Sequence, residues 1–474
     1  MVFSSAVFLL VFLPVFLITY YLVGSRLKNY TILLFSIFFY AWGAPDFVFV
    51  VLGSMIVNFY VVQSMQRAAT LPLKRLLLAL SVAINLGLLL YFKYANFFIE
   101  NINALISALG LGSDIPWAAV ALPVGISFFT FQSLTYSVDV YRKVHAPLQK
   151  LSDYILYILM FPQLIAGPIV RFNFIADQIT NRQESADDRL LGMFRFIIGL
   201  AKKVLIANVL GAEADRIMAL DPAAISSATA WMGILAYTFQ IYFDFAGYSD
   251  MAIGVGRMIG FTFPENFNNP YVSQSITEFW RRWHITLGAW MRDYLYIPLG
   301  GNRVKTQRRL YFNLWFVFLV SGLWHGASWN FVIWGGYHGL FLILDRIFLL
   351  KLLKRSGKVF STIFTFFVVV MGWVFFRVED FATAMIYFQR LFAFDFGATS
   401  LVPDPEVVTI LMVAIIFSFI TVSKAGLQLQ EKVFYAEYPP QRKYVMFACT
   451  LVLFVLSLAS VTTSGFNPFI YFRF

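Results

Sequence analysis

Charge is scarce in this chain of 474 residues: only 13% are Asp, Glu, Lys or Arg, against about a quarter in an average soluble domain. Together with 60% hydrophobic and 19% aromatic residues and a mean hydropathy of +0.73, this excludes a water-soluble globular fold and indicates a polytopic membrane protein. No polar stretch is long enough for a separate soluble domain, so residues 1–474 are expected to form one transmembrane domain. Cysteine is nearly absent. The lone Cys449 can form no internal disulfide and gives no support to a thiol nucleophile. Zinc-type ligand clusters, the GxxxxGK[ST] phosphate loop and the GxSxG elbow are all missing, so no metal site is expected. The basic residues behind the net charge of +11 are dispersed between apolar runs, a pattern set by membrane topology and not by a nucleic-acid groove. Residues 1–22 lack a basic n-region and a small-residue cleavage site, so they are expected to be a retained first span.

Apolar runs long enough to cross, or nearly cross, a bilayer fall near residues 2–22, 30–42, 47–62, 76–92, 117–140, 190–210, 228–245, 310–323, 331–350, 359–376, 407–422 and 444–460. The expectation is about 11–12 transmembrane helices. Residues 154–170 carry Pro162, Gly167 and Pro168 and read as a hairpin or re-entrant segment, tolerated only where protein buries it. Basic clusters around residues 26–28, 67–75, 142–150, 281–309, 351–358 and 424–443 alternate with loops almost free of Lys and Arg. By the positive-inside rule both termini then lie outside the cytoplasm. Arg377 and Arg390 violate the pattern, and residues 378–394 read as an amphipathic surface helix.

Only four histidines are present, and two of them, His325 and His338, flank a helix break in residues 310–350. Histidine is the side chain best placed to trade a proton near neutral pH. An ionisable group at membrane depth is costly enough to imply a role. His325 closes an apolar run of about fourteen residues, roughly 20 Å of helix against a hydrocarbon core of about 30 Å, which places it inside the membrane. The cytoplasmic stretch 276–299 is expected to be an interfacial helix. On it Phe279, Trp283, Leu287, Trp290 and Tyr294 share one face, with Arg281, His284 and Arg292 near the other. Such a helix serves either as an aromatic anchor on lipid phosphates or as the place where Arg281, Arg282 and Arg292 meet an anionic donor. Asp244 ends another apolar run and needs a partner: a histidine, a cation, or an arginine of residues 281–292. The residues alone reach a histidine-centred polar path through a membrane, which transport would satisfy equally well.

Longer motifs add a family resemblance. They include Leu-Tyr-Phe-Lys-Tyr-Ala-Asn (90–96), Leu-Pro-Val-Gly-Ile-Ser-Phe (122–128), Leu-Ile-Ala-Gly-Pro (164–168) and Tyr-Phe-Asp-Phe-Ala-Gly-Tyr-Ser-Asp-Met-Ala-Ile-Gly (242–254). Glu-Asn-Phe-Asn-Asn-Pro-Tyr (265–271), Ser-Ile-Thr-Glu-Phe-Trp-Arg-Arg-Trp-His (275–284), Gly-Leu-Trp-His-Gly (322–326) and Pro-Phe-Ile-Tyr (468–471) follow in order. In these the chain resembles, from end to end, the membrane-bound O-acyltransferase superfamily, and within it the branch of alginate O-acetyltransferase membrane subunits. The resemblance implies an all-α polytopic membrane protein whose helices, with re-entrant and interfacial ones, ring a thin catalytic centre with a tunnel. It implies that His325 is the central catalytic histidine and His284 the second one, on the cytoplasmic side. Asn268 and Trp324 lie in the motifs beside them and, with Asp244 and His338, are expected near the substrates. Ala246, Asn269 and Arg473 depart from the pattern without touching this chemistry.

The resulting expectation is an inner-membrane O-acetyltransferase with no bound cofactor, using acetyl-CoA or another acyl thioester from the cytoplasm. Its partners would be extracytoplasmic acetyltransferase or adaptor proteins of a polysaccharide-modification complex, with no nucleic acid. Peptidoglycan or cellulose O-acetylation and D-alanyl transfer are the alternatives within the class. The aromatic tail 464–474 resembles the terminal motif of a small partner peptide in D-alanylation systems. Through that likeness Tyr471 becomes a candidate acyl relay; as a plain interfacial tail it would be an anchor.

Overall fold

The computed structural model describes residues 2–165, 167–396, 402–435 and 438–463. Its described residues form helices joined by turns and loops, with no β-strand among them. Among the described residues, five helices are long and apolar enough to cross a membrane by length and composition: Pro45–Arg67, Leu71–Leu109, Lys358–Arg377, Pro405–Val422 and Pro440–Thr463. Most of the other runs expected as spans form shorter helices, or helices that carry charge. The chain divides into two compact units, residues 1–186 with 259–263 and residues 187–258 with 264–474.

The first unit contains α1 (Phe8–Leu22), α2 (Lys28–Gly43), α3 (Pro45–Arg67), α4 (Leu71–Leu109), α5 (Ile126–Tyr141), α6 (Leu151–Leu159) and α7 (Phe172–Thr180). Phe12, Phe16 and Phe39 pack around Phe161 with ring centroids 5.0–5.6 Å apart. A polar knot ties four helices together. Asn58 donates to the Tyr154 hydroxyl at 2.6 Å and accepts from Ser81 at 2.6 Å and Asn85 at 3.0 Å, while the Ser81 and Ser137 hydroxyl oxygens lie 2.7 Å apart. Such bonds hold helices where lipid offers no hydrophobic driving force.

One expectation in this unit changes. Helix does not begin at residue 117, because Asn96 accepts from the Val120 N–H and the Trp117 indole at 2.9 Å each; Gly125, at φ 77°, then turns the chain into α5. The stretch from Tyr154 to Leu164 is buried throughout and breaks at Met160 into two helices, α6 and Phe161–Leu164. That is the burial a proline-interrupted segment requires. The fourth histidine, His145, bonds through Nε2 to Asp177 at 3.0 Å.

The second unit is built on α8 (Ala186–Ala201), α9 (Asn208–Met218) and the 32-residue α10 (Ser227–Met258). Short α11 (Ile276–Arg282) and α12 (Ile285–Trp290) follow, then the hairpin of α13 (Gln307–His325) and α14 (Trp329–Leu344). Beyond it come α15 (Lys358–Arg377), α16 (Phe381–Leu391), α17 (Pro405–Val422) and α18 (Pro440–Thr463). The two arginines that break the positive-inside pattern are paired: Arg377 with Asp215 at 2.9 Å, and Arg390 with Asp395. The surface helix expected at 378–394 is α16, capped by Asp380 and packed through Ala384, Tyr387 and Leu391.

The two helices of the α13–α14 hairpin approach closely, and glycine makes it possible. A Cβ on Gly322 would lie 2.1 Å from the Phe331 carbonyl oxygen, and one on Gly335 would lie 2.3 Å from that of Phe318. Gly322→Ala is therefore expected to lower stability by about 1–3 kcal/mol, the usual cost of overpacking. Gly53→Ala, where nothing stands within 4 Å, should be neutral or slightly stabilising through helix propensity. Thermal unfolding of the purified variants compares the two, and equal shifts would mean that close backbone approach does not hold the hairpin.

Candidate active site

Gly326 ends α13 in extended conformation immediately after His325, so this histidine is the last helical residue, as the sequence indicates. Around it the α13–α14 turn and α15 close an aromatic box. The His325 ring lies 5.1 Å from Trp334, 5.2 Å from Phe376 and 4.9 Å from Trp324. It is 4% exposed.

His284 reaches the same place by a route that periodicity does not reveal. Residues 276–299 do not form one helix. The chain breaks at His284, which adopts a left-handed backbone (φ 44°, ψ 53°) between α11 and α12, a conformation uncommon outside glycine and worth explaining wherever it occurs. The residues after α10 cause the break. Asn266 accepts from the Ile285 N–H through its carbonyl at 2.9 Å and bonds His284 Nδ1 through its side chain at 3.1 Å, while the Asn268 N–H donates to the Arg282 carbonyl at 2.9 Å. His284 is 1% exposed, and its ring centroid stands 6.4 Å from that of His325 and 6.0 Å from that of Trp324. Burial pushes its pKa down to about 3, so the imidazole is neutral across the physiological range.

The remaining candidates divide. His338 is fully buried on α14, with its ring 5.1 Å from Trp334 and 5.0 Å from Trp280, so one indole separates it from His325. Trp324 is buried beside both catalytic candidates. Phe279, Trp283, Leu287 and Trp290 are buried in protein. Arg281 is exposed on α11, Arg282 pairs with Glu278 at 2.9 Å, and the largely exposed Arg292 pairs with Asp293 at 2.7 Å. Asn268 is exposed and receives Arg282 on its carbonyl at 3.1 Å. Asp244 pairs not with an arginine of residues 281–292 but with Lys203, at 2.7 Å, both side chains no more than 2% exposed. Tyr471 and the tail 464–474 lie outside the described residues.

A cavity of about 580 Å³ lies in the same unit, mostly apolar along α17 and α18. Its polar floor is an ion cluster in which Arg195 joins Asp250 and Glu265 at 2.6 Å each and Lys202 reaches Asp250 at 2.6 Å. Asn266 belongs to its wall and is also the residue that holds His284. Sequence reasoning missed Asn266, Lys203 and this cluster, although two adjacent lysines within an apolar run were a signal that something anionic faces them.

The match to known proteins decides the family. Residues 6–378 fit the model of MBOAT, the membrane-bound O-acyltransferase family. The chain belongs to that family. Among its relatives, the probable alginate O-acetylase AlgI of Pseudomonas putida is 41% identical over the full length of both chains. That of Pseudomonas aeruginosa is 46% identical over 83% of this chain and 75% of its own. The peptidoglycan O-acetyltransferase of Helicobacter pylori is 38% identical over 81% of this chain and 78% of its own. This member of the MBOAT family is thus a membrane-embedded acyltransferase. His284 and His325, drawn from separate motifs, are brought together in its second unit, with rings inclined at 60°.

Proposed function

We propose that the protein moves an acetyl group from a cytoplasmic thioester, acetyl-CoA or a related acyl carrier, to a hydroxyl of an extracytoplasmic, alginate-like polysaccharide. The observation that carries this reading is the buried His284–His325 pair, with ring centroids 6.4 Å apart, behind a cavity whose wall includes Asn266. Both units, spanned by one family match, act here as a single inner-membrane domain, with a tunnel that admits the donor from one side and the acceptor from the other. The termini face outward, on the charge pattern of the loops. The names of the full-length relatives favour alginate; extracytoplasmic adaptor or acetyltransferase proteins would complete the modification.

In the transfer, the acceptor hydroxyl oxygen attacks the thioester carbonyl while His325 takes its proton as general base. The C–O ester bond forms as the C–S bond breaks, and the proton returns to the departing thiolate as thiol. Arg281, Arg282 and Arg292 recruit a phosphate-bearing donor at the entrance, a task suited to guanidinium. Replacing Arg281 or Arg292 should weaken donor use, most visibly at low donor concentration, and added salt should act in the same direction. Unchanged donor dependence would return this surface to an anchoring role.

In this reading the hydroxyl that attacks the thioester first is the Tyr471 phenol, which carries the acetyl group as an ester and passes it to the outer partner for the polymer, the phenolic oxygen regaining a proton as that ester bond breaks. Tyr471→Phe keeps the aromatic ring and removes the nucleophile. Polysaccharide acetylation in cells should fall to background in that variant, and acetyl-Tyr471 should accumulate in the parent when the outer partner is missing. Full acetylation by the variant, or no trapped ester, would leave the tail as an anchor.

A further inference from the structure

The side chain of Asn266 is 0% exposed and bonded through both its nitrogen and its oxygen. Its amide nitrogen donates to Ser249 Oγ at 3.1 Å. Its oxygen faces three groups: the Thr286 hydroxyl at 2.8 Å, the Thr286 N–H at 3.4 Å and His284 Nδ1 at 3.1 Å. Hydroxyls donate or accept as required, but a backbone N–H only donates. The Asn266 atom turned toward Thr286 must therefore be its oxygen. An oxygen cannot donate, so His284 Nδ1 has to carry the proton, and in a neutral imidazole the lone pair is then on Nε2. Nε2 is buried with no hydrogen-bond partner among the described residues, on a ring that packs against Trp324 and His325.

We infer that Asn266 is a positioning residue that locks His284 in the Nδ1–H tautomer, so that His284 meets the bound substrates as a hydrogen-bond acceptor and not as a donor to a developing oxyanion. The inference rests on the proposed acyl transfer for its functional meaning, while the tautomer itself is independent of it. The same contact shapes the backbone: the left-handed turn at His284 is held by the Ile285 N–H on the Asn266 carbonyl and by the Nδ1 bond on its side chain. The ligand group that suits Nε2 is an N–H or O–H, either an amide of the donor's arm or the acceptor hydroxyl on its way to His325. An oxyanion there would meet a lone pair and be repelled.

With four histidines in the chain, ¹⁵N-histidine NMR of the whole purified protein separates them, and His284→Gln identifies the signal of interest. The expected spectrum at neutral pH shows His284 protonated on Nδ1 and bare on Nε2. Asn266→Asp, which keeps an acceptor oxygen, should retain that tautomer. Asn266→Ala should shift the population toward Nε2–H and lower acyl transfer about tenfold, the scale of one lost hydrogen bond. An Nε2–H signal in the unaltered protein, or an unchanged tautomer in Asn266→Ala, overturns the inference. The first result needs no variant to fold. Loss of the wider reading looks different: full activity in His325→Ala with His284 still protonated on Nδ1 would remove the mechanism and leave the tautomer standing.

Discussion

His325→Ala should reduce acetylation of the extracytoplasmic polysaccharide in cells by about 10² to 10⁴, the range that a positioned general base usually contributes. The expectation follows from its place and its neighbours. The ring is at the terminal residue of α13 and 4% exposed, boxed by Trp324, Trp334 and Phe376. Alanine removes the base but leaves the helix end, which Gly326 and the glycines of the hairpin define. The variant should therefore reach the membrane in normal amount and melt close to the parent protein. Measuring membrane abundance and polymer-bound acetyl together separates lost chemistry from lost protein; normal abundance with near-normal acetylation would remove His325 from the base role.

The second large effect concerns the ion pair between Lys203 and Asp244, with side chains 2% and 1% exposed and 2.7 Å apart. Removing one partner leaves a buried charge uncompensated, and Lys203→Met should cost about 3–5 kcal/mol of stability. Lys203→Met combined with Asp244→Leu removes both charges, and replacement of a buried pair by apolar groups is often neutral or stabilising. The double variant should thus melt near the parent, far above either single one. Thermal unfolding in detergent or nanodiscs checks the order, and a single variant as stable as the parent would show that the pair is not what the interior depends on. Activity of the stable double variant then tests Asp244 itself: full activity makes the pair structural, whereas loss with retained stability places Asp244 among the substrate-contacting residues.

Much of the architecture was legible because its signals are local. Gly326 after His325, Pro162 within residues 154–170 and the amphipathic residues 378–394 each mark a helix end, a break or a surface helix, and each lies where local rules put it. What the sequence concealed depends on partners far away in the chain. The period of residues 276–299 reads straight through His284, because the break is made by Asn266, eighteen positions earlier, which offers a side-chain oxygen and a carbonyl to the turn. Asp244 finds Lys203 on a neighbouring element, and no local pattern selects that lysine over the arginines of residues 281–292. The apolar run starting at residue 117 becomes helix only from Ile126, since Asn96 satisfies the intervening backbone. The number of apolar runs exceeded the number of long spanning helices among the described residues because several runs form helices that are shorter than a bilayer requires or that carry charge.

The most direct measurement of the account's central claim is acyl transfer by the purified protein in liposomes. A ¹³C-acetyl thioester would be supplied with a hydroxylated oligosaccharide acceptor and the products followed by mass spectrometry. Free thiol and labelled acetyl ester should form in equal amounts, the ester on the acceptor or on Tyr471, with the parent protein, and both should be lost in His325→Ala. Equal ester formation by both proteins, or passage of intact thioester across the bilayer with no ester formed, would contradict it.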